Sequence, residues 1–125
     1  MKQTLITGAN AGLGLASAKM LAKAGHHVIM VCRSPEKGAV ALEAVQALGS
    51  AELVLCDLSD LDQIRALKDT FAGRTLDVLL HNAGVVLTQR HLSAQGFEMT
   101  IAVNHLAVFQ LTHSLWNTLR KGSRV

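Results

Sequence analysis

Thr4-Leu5-Ile6-Thr7-Gly8-Ala9-Asn10-Ala11-Gly12-Leu13-Gly14 is the stretch on which the fold of this chain turns. A short apolar run meets three spaced glycines and passes into the alanine-rich segment 15–24, whose residues are good helix formers. Strand, glycine turn and helix in that order are the sequence form of a turn that holds a phosphate. Gly8 ends the strand where a side chain would crowd the turn, Gly12 leaves phosphate oxygens room to approach the backbone, and Gly14 lets the helix pack closely on the strand. The helix then aims its unpaired first-turn amides, and the positive end of its dipole, at whatever lies above the strand. That makes the turn an anion site, unless the glycines serve only a tight structural loop.

Outward from this turn, apolar strand-like runs recur at 28–32, 53–56 and 78–80, separated by helical patterns at 13–24, 36–48 and 61–71. Such an alternation implies a parallel sheet with right-handed crossovers and helices on both faces. The expected class is therefore α/β, a doubly wound parallel sheet in strand order 3-2-1-4 within a single domain, 1–125. Turn signals agree: Gly25 follows the first helix, Ser34-Pro35 opens the second, Gly49-Ser50 closes it, and Ser59 or Asp60 caps the third. A polar loop at 88–96 leads into a long helical pattern from 97 to about 119, in which Phe97, Ile101, His105 or Val108, Leu111 or Thr112, and Leu115 recur at helical spacing. Lys121-Gly122 reads as the basic last turn and glycine stop of that helix, and Ser123-Arg124-Val125 as the start of a fifth strand.

Half of the residues are hydrophobic, tyrosine is absent and proline appears once, which suits buried parallel strands under alanine-rich helices better than an all-β sandwich. The net charge of +3 is spread along the chain and aromatics make up only 3%, a composition that excludes nucleic acid as an expected partner. Arg33 and the Arg120-Lys121-Arg124 end are the only local concentrations of positive charge, and the latter reads as a solvated terminus. Cys32 and Cys56 each close an apolar run as free thiols, and with no secretory leader ahead of the first strand a reducing, cytoplasmic setting is expected. No apolar run approaches membrane-spanning length. The histidines lack a helical pairing with a nearby carboxylate, so no metal site is expected.

Thr7-Gly8, Gly12 and Gly14 together resemble the Thr-Gly-x-x-x-Gly-x-Gly motif of the short-chain dehydrogenase/reductase family. The spacing is neither the common Gly-x-Gly-x-x-Gly fingerprint nor a Walker loop. His81-Asn82-Ala83-Gly84 resembles the family's Asn-Asn-Ala-Gly, with His81 in place of the first asparagine. Val103-Asn104-His105-Leu106 resembles the Asn-His-Leu-Gly-His-Phe stretch of the branch that holds retinol dehydrogenases and protochlorophyllide reductases, although Ala107 and Gln110 depart from it. The resemblance implies a Rossmann-type fold, truncated at the start of its fifth strand, with Gly8, Asn10, Gly12, Leu13 and Gly14 on a dinucleotide.

Such sites carry a selector about 20 residues past the glycine turn, where an acid binds the ribose hydroxyls of NAD. Here the second strand ends Val31-Cys32-Arg33-Ser34, with a guanidinium and no carboxylate. Arg33, assisted by Ser34, can fork onto a 2′-phosphate, which favours NADP over NAD; the alternative is a plain surface arginine. Asp57-Leu58 resembles the family's adenine-contacting pair after the third strand, and the alternative for Asp57 is a helix N-cap. Asn82 is expected to bridge neighbouring strands, Ala83 and Gly84 to keep the floor low beneath the ribose, and His81 to be a hydrogen-bonded structural histidine. By resemblance Asn104 belongs to the catalytic set, bending its helix and holding a water that relays protons to a lysine; a plain helix asparagine is the alternative.

The resemblance implies an NADP(H)-dependent oxidoreductase acting on a carbonyl or alcohol carbon. In the family a serine and a Tyr-x-x-x-Lys segment follow the fifth strand; this sequence contains no tyrosine. The expectation is a cofactor-binding half, inactive alone, and the alternative is a non-catalytic nucleotide-binding module. A sheet ending at its fourth strand would expose that strand's edge and one face of the long helix, so self-association into a homo-oligomer is expected.

Overall fold

The computed structural model describes residues 1–125 as a five-stranded parallel sheet in the order β3-β2-β1-β4-β5. The strands are β1 (Gln3–Thr7), β2 (His27–Cys32), β3 (Ala51–Leu55), β4 (Leu76–Leu80) and β5 (Leu119–Arg124). Crossover helices α1 (Gly12–Lys23), α2 (Pro35–Gln46) and α3 (Leu61–Thr70) join the first four strands. From β4 the chain returns through α4 (Met99–Ile101), a wide π-helical turn at Ala102–Leu106, α5 (Ala107–Ser114) and a tight turn at Trp116–Thr118.

Both faces of the sheet are covered, which explains why its strands read as continuous apolar runs rather than alternating ones. Successive residues point to opposite faces. Leu5, Ile29, Val31 and Leu79 pack with Ile64, Leu67 and Phe71 of the α3 region and with Ala107, Leu111 and Leu115 beside α5. Ile6, Val28 and Met30 pack on the other side against Ala18 and Ala22 of α1 and Ala41 and Val45 of α2. The small alanines let α1 and α2 sit close to the sheet, whereas α3 and α5 fill their layer with larger side chains.

Two expectations for the chain's end are corrected. The long helix stops at Ser114 rather than near 119: the Leu115 amide closes the last turn onto Leu111, and the Thr118 hydroxyl donates to the Leu115 carbonyl at 2.6 Å. Leu119 then lies beside Leu76 as the first residue of β5, so Lys121-Gly122 falls inside a strand and is no helix stop. The pairing shifts register between Leu76 and Val78; Ser123 bridges the irregularity, its hydroxyl donating to the Leu76 carbonyl at 2.7 Å and accepting from the Arg120 amide at 2.9 Å. The 3-2-1-4 order stands inside the five-strand sheet, but β4 is an inner strand and the edge on that side is β5, with β3 at the other. β3 also begins two residues earlier than expected, with Cys56 beyond its end.

Candidate functional site

The strand order reverses at β1, which has β2 on one side and β4 on the other. In open parallel sheets the crevice outside the carboxyl end at such a reversal is where ligands bind. Gly8 leaves β1 there with φ +63°, its amide donating to the Val31 carbonyl at 2.9 Å, and Gly12 turns the chain into α1 with φ +54°. Gly14 is required for a different reason. A Cβ on it would lie 2.2 Å from the Gly8 carbonyl oxygen and 2.5 Å from Asn82 Nδ2, so only glycine lets α1 approach the turn.

No side chain caps α1, whereas Ser34 caps α2 and Asp60 caps α3. The amides at Gly12–Gly14 therefore point outward unpaired, and the space at Gly12 is open. Asn82 and Thr7 build the wall beside them. Asn82 Nδ2 donates to the carbonyls of Thr7 (3.0 Å) and Gly8 (3.3 Å), while the Thr7 hydroxyl accepts from the amides of Asn82 and Ala83, both at 3.0 Å. Thr7 carries the threonine of the glycine motif, but as a buried strand residue it reads as packing, and its bonds to the Asn82 and Ala83 amides emerge only in the fold.

Along the same rim lie the other expected cofactor residues. Asn10 is half-buried, and Leu13 is 81% exposed beside the α1 amides. Arg33 is exposed at the end of β2 and takes part in no ion pair. The Ser34 hydroxyl is already engaged, accepting from the Lys37 amide at 3.2 Å as the α2 cap and donating to Glu36 Oε2 at 3.3 Å. Asp57 is not the α3 cap; its Oδ1 accepts from the Ser59 amide (2.9 Å) and hydroxyl (2.7 Å), and Asp60 does the capping. Leu58 is half-buried against the α3 core. Burial pushes the Cys32 thiol up, and burial together with the carboxylates of Asp57 and Asp60 pushes Cys56 up to about 11. Both thiols, free and buried, are packing groups rather than nucleophiles.

Asn104 sits in the π-helical turn, where the Ala107 amide reaches back to Ala102. Its side-chain amide clasps the backbone of Val85 from both sides, Oδ1 accepting from Val85 N and Nδ2 donating to Val85 O, each at 2.8 Å. Gly84 lies directly beside it, a Cβ there meeting Asn104 Oδ1 at 3.5 Å. His81 Nε2 lies 2.8 Å from the Thr112 hydroxyl, which donates its proton to the Val108 carbonyl. That hydroxyl must therefore accept, so Nε2 carries the imidazole proton; desolvation lowers the His81 pKa and keeps the ring neutral.

A glycine turn under an uncapped helix, at the reversal point of an open parallel sheet, defines a doubly wound nucleotide-binding fold of the Rossmann type. A profile of the short chain dehydrogenase family matches residues 2–124, and the chain belongs to that family. It is 41% identical over 127 residues to human (Homo sapiens) retinol dehydrogenase 11, covering 98% of this chain and 40% of that protein. It is 42% identical over 124 residues to protochlorophyllide reductase A of Oryza sativa subsp. japonica, covering 94% of this chain and 32% of that protein. The chain thus spans well under half the length of these curated relatives. The structure of a metagenomic short-chain oxidoreductase in complex with NADP superposes with a TM-score of 0.79 at 31% identity, over 94% of this chain and 56% of that one. No helix is long and apolar enough to cross a membrane.

Proposed function

We propose that this chain binds NADP(H) as the cofactor side of an oxidoreductase that moves hydride to or from a carbonyl or alcohol carbon. The observation that carries the proposal is the uncapped α1 N-terminus over Gly12–Gly14, walled by Asn82 and flanked by an unpaired Arg33. Gly8, Asn10, Gly12, Leu13 and Gly14 would hold the pyrophosphate region, Arg33 with Ser34 the 2′-phosphate, Asp57 and Leu58 the adenine, and Asn82, Ala83 and Gly84 the nicotinamide-side ribose. The neighbour solved with NADP supports the choice of cofactor, and the absence of a carboxylate at the β2 end argues against NAD.

A bound nicotinamide would donate the hydride to a carbonyl or accept it from an alcohol carbon. This chain's residues supply position: the α1 dipole neutralises phosphate charge, and the Asn104–Val85 clasp fixes the backbone beyond Gly84, where the reacting carbon would approach. With no tyrosine in the sequence, the family's acid/base proton does not come from these residues, and the chain alone is expected not to turn over. The second reading, a non-catalytic nucleotide-binding module, predicts identical binding. The two part when the chain is supplied with a segment carrying the family's serine, tyrosine and lysine, which restores activity only under the first.

Titration calorimetry with NADP and NAD tests the cofactor choice. Arg33→Ala should weaken NADP binding about tenfold or more while changing NAD binding about twofold at most. An equal loss for both would show that Arg33 does not touch the 2′-phosphate.

A further inference from the structure

Gln95 lies in the long loop between β4 and α4, 35 residues past Asp60 in sequence, yet its side-chain amide is locked onto the start of α3. Its Oε1 accepts from the Leu61 amide at 3.0 Å, satisfying the first free N–H of that helix, and its Nε2 donates to the capping carboxylate Asp60 Oδ1 at 2.9 Å. The lock continues inward. Gln63 reaches Asp60 Oδ2 at 3.5 Å through Nε2, and its Oε1 accepts from the Asp57 amide at 2.8 Å. Asp57 is thereby fixed from its own backbone, while its Oδ1 is held by Ser59. On the other side, the loop is anchored at its base by the Ser93 amide on Phe97 O (2.7 Å) and the Met99 amide on His91 O (2.8 Å), just ahead of α4.

We propose that Gln95 is a positioning residue for the adenine end of the site: through Asp60, Leu61 and Gln63 it holds Asp57 and Leu58 in the place where the nucleotide base docks. The inference rests on the nucleotide-binding reading above. A glutamine suits the task because it offers an acceptor and a donor at one tip, matched to an amide and a carboxylate that sit side by side at a helix start. A carboxylate at this position would still accept from Leu61 but would face Asp60 with like charge.

The test uses two probes that differ in the adenosine. Adenosine 2′,5′-bisphosphate engages the adenine end, with its 5′-phosphate reaching the near side of the glycine turn; inorganic pyrophosphate engages the turn without any base, its binding read by the amide chemical shifts of Gly12–Gly14. Gln95→Ala and Gln95→Glu should each weaken adenosine 2′,5′-bisphosphate about threefold to tenfold, the worth of one or two lost hydrogen bonds, and leave pyrophosphate binding unchanged. Gln95→Glu serves as the second variant should the alanine form fold poorly, since it keeps the bond to Leu61. Unchanged affinity for the bisphosphate in either folded variant overturns the proposal, and so does an equal loss for both probes, which marks a general loss of structure. A wild-type chain that binds neither probe overturns the nucleotide reading itself and this inference with it.

Discussion

At the scale of single residues, the site depends on contacts that leave no room for substitution. Gly14 is the sharpest case. An added methyl would meet the Gly8 carbonyl at 2.2 Å, so Gly14→Ala must push α1 off the turn and should cost about 1–3 kcal/mol, the usual range for overpacking. Gly12→Ala meets nothing within 4 Å and carries only the strain of a left-handed backbone, about 1–2 kcal/mol. Urea midpoints of the two variants check the order, and equal losses would mean that α1 does not press on Gly8. Asn104→Ala removes both bonds to Val85 and should cost about 1–3 kcal/mol even though alanine is the better helix former. If denaturation shows it neutral, the clasp contributes nothing. Sequence made the glycines legible because their spacing carries a mechanism. It showed Ser34-Pro35 as the opening of α2, but not that the Asn104 amide is spent on a backbone partner 19 residues away.

At the scale of elements, the strands are tied at the end opposite the site by a polar cluster. Glu52 on β3 accepts from Arg74, ahead of β4, and lies 3.0 Å from His27 Nε2 on β2, while His27 Nδ1 meets the Ser50 hydroxyl at 2.6 Å. The Arg74 guanidinium, and after it His27, hold the Glu52 carboxyl below its ordinary value. A carboxylate lowered on folding stabilises the fold above its ordinary pKa, and that contribution is lost as pH falls through the folded value. His81, lowered by burial, acts in the same direction at higher pH, since the unfolded chain takes up its proton first as pH drops through about 6.5. Stability should therefore fall in two stages on acidification, the lower one shared with Asp60, Asp77 and Glu98, whose carboxyls hydrogen bonds also lower, and Glu52→Gln should make only that lower stage shallower; a wild-type acid limb unchanged by that substitution contradicts the assignment. The alternation that made β1 to β4 and α1 to α3 readable is a matter of local periodicity. The start of β5 at Leu119, ahead of the expected Ser123, was hidden because Leu115 and Leu119 satisfy a helical spacing as well as they satisfy a turn and a strand, and only the Thr118 hydroxyl and pairing with Leu76 decide between them.

At the scale of the whole molecule, the carboxyl ends of β3, β2, β1 and β4 lie side by side along one rim of the sheet, and that adjacency is why residues as distant as Gly8, Arg33, Asp57 and Asn82 are proposed as one site. The outer face of α5 is less finished: Phe109 is 71% and Trp116 66% exposed, around a groove of about 380 Å³ that also includes His105 and His113. With β5 as a free edge and this face uncovered, the isolated chain should self-associate, and Phe109→Ser with Trp116→Ser should reduce the association. A clean monomer of the unmodified chain in sedimentation at tens of micromolar, about the range where weak interfaces populate, would contradict that expectation. The central claim is that the backbone from Thr7 to Leu15 wraps a pyrophosphate. A crystal structure of the chain at saturating NADP tests it most directly: phosphate oxygens should lie within hydrogen-bonding distance of the amides at Gly12–Gly14, with the 2′-phosphate against Arg33. A turn empty of nucleotide at saturation would contradict it.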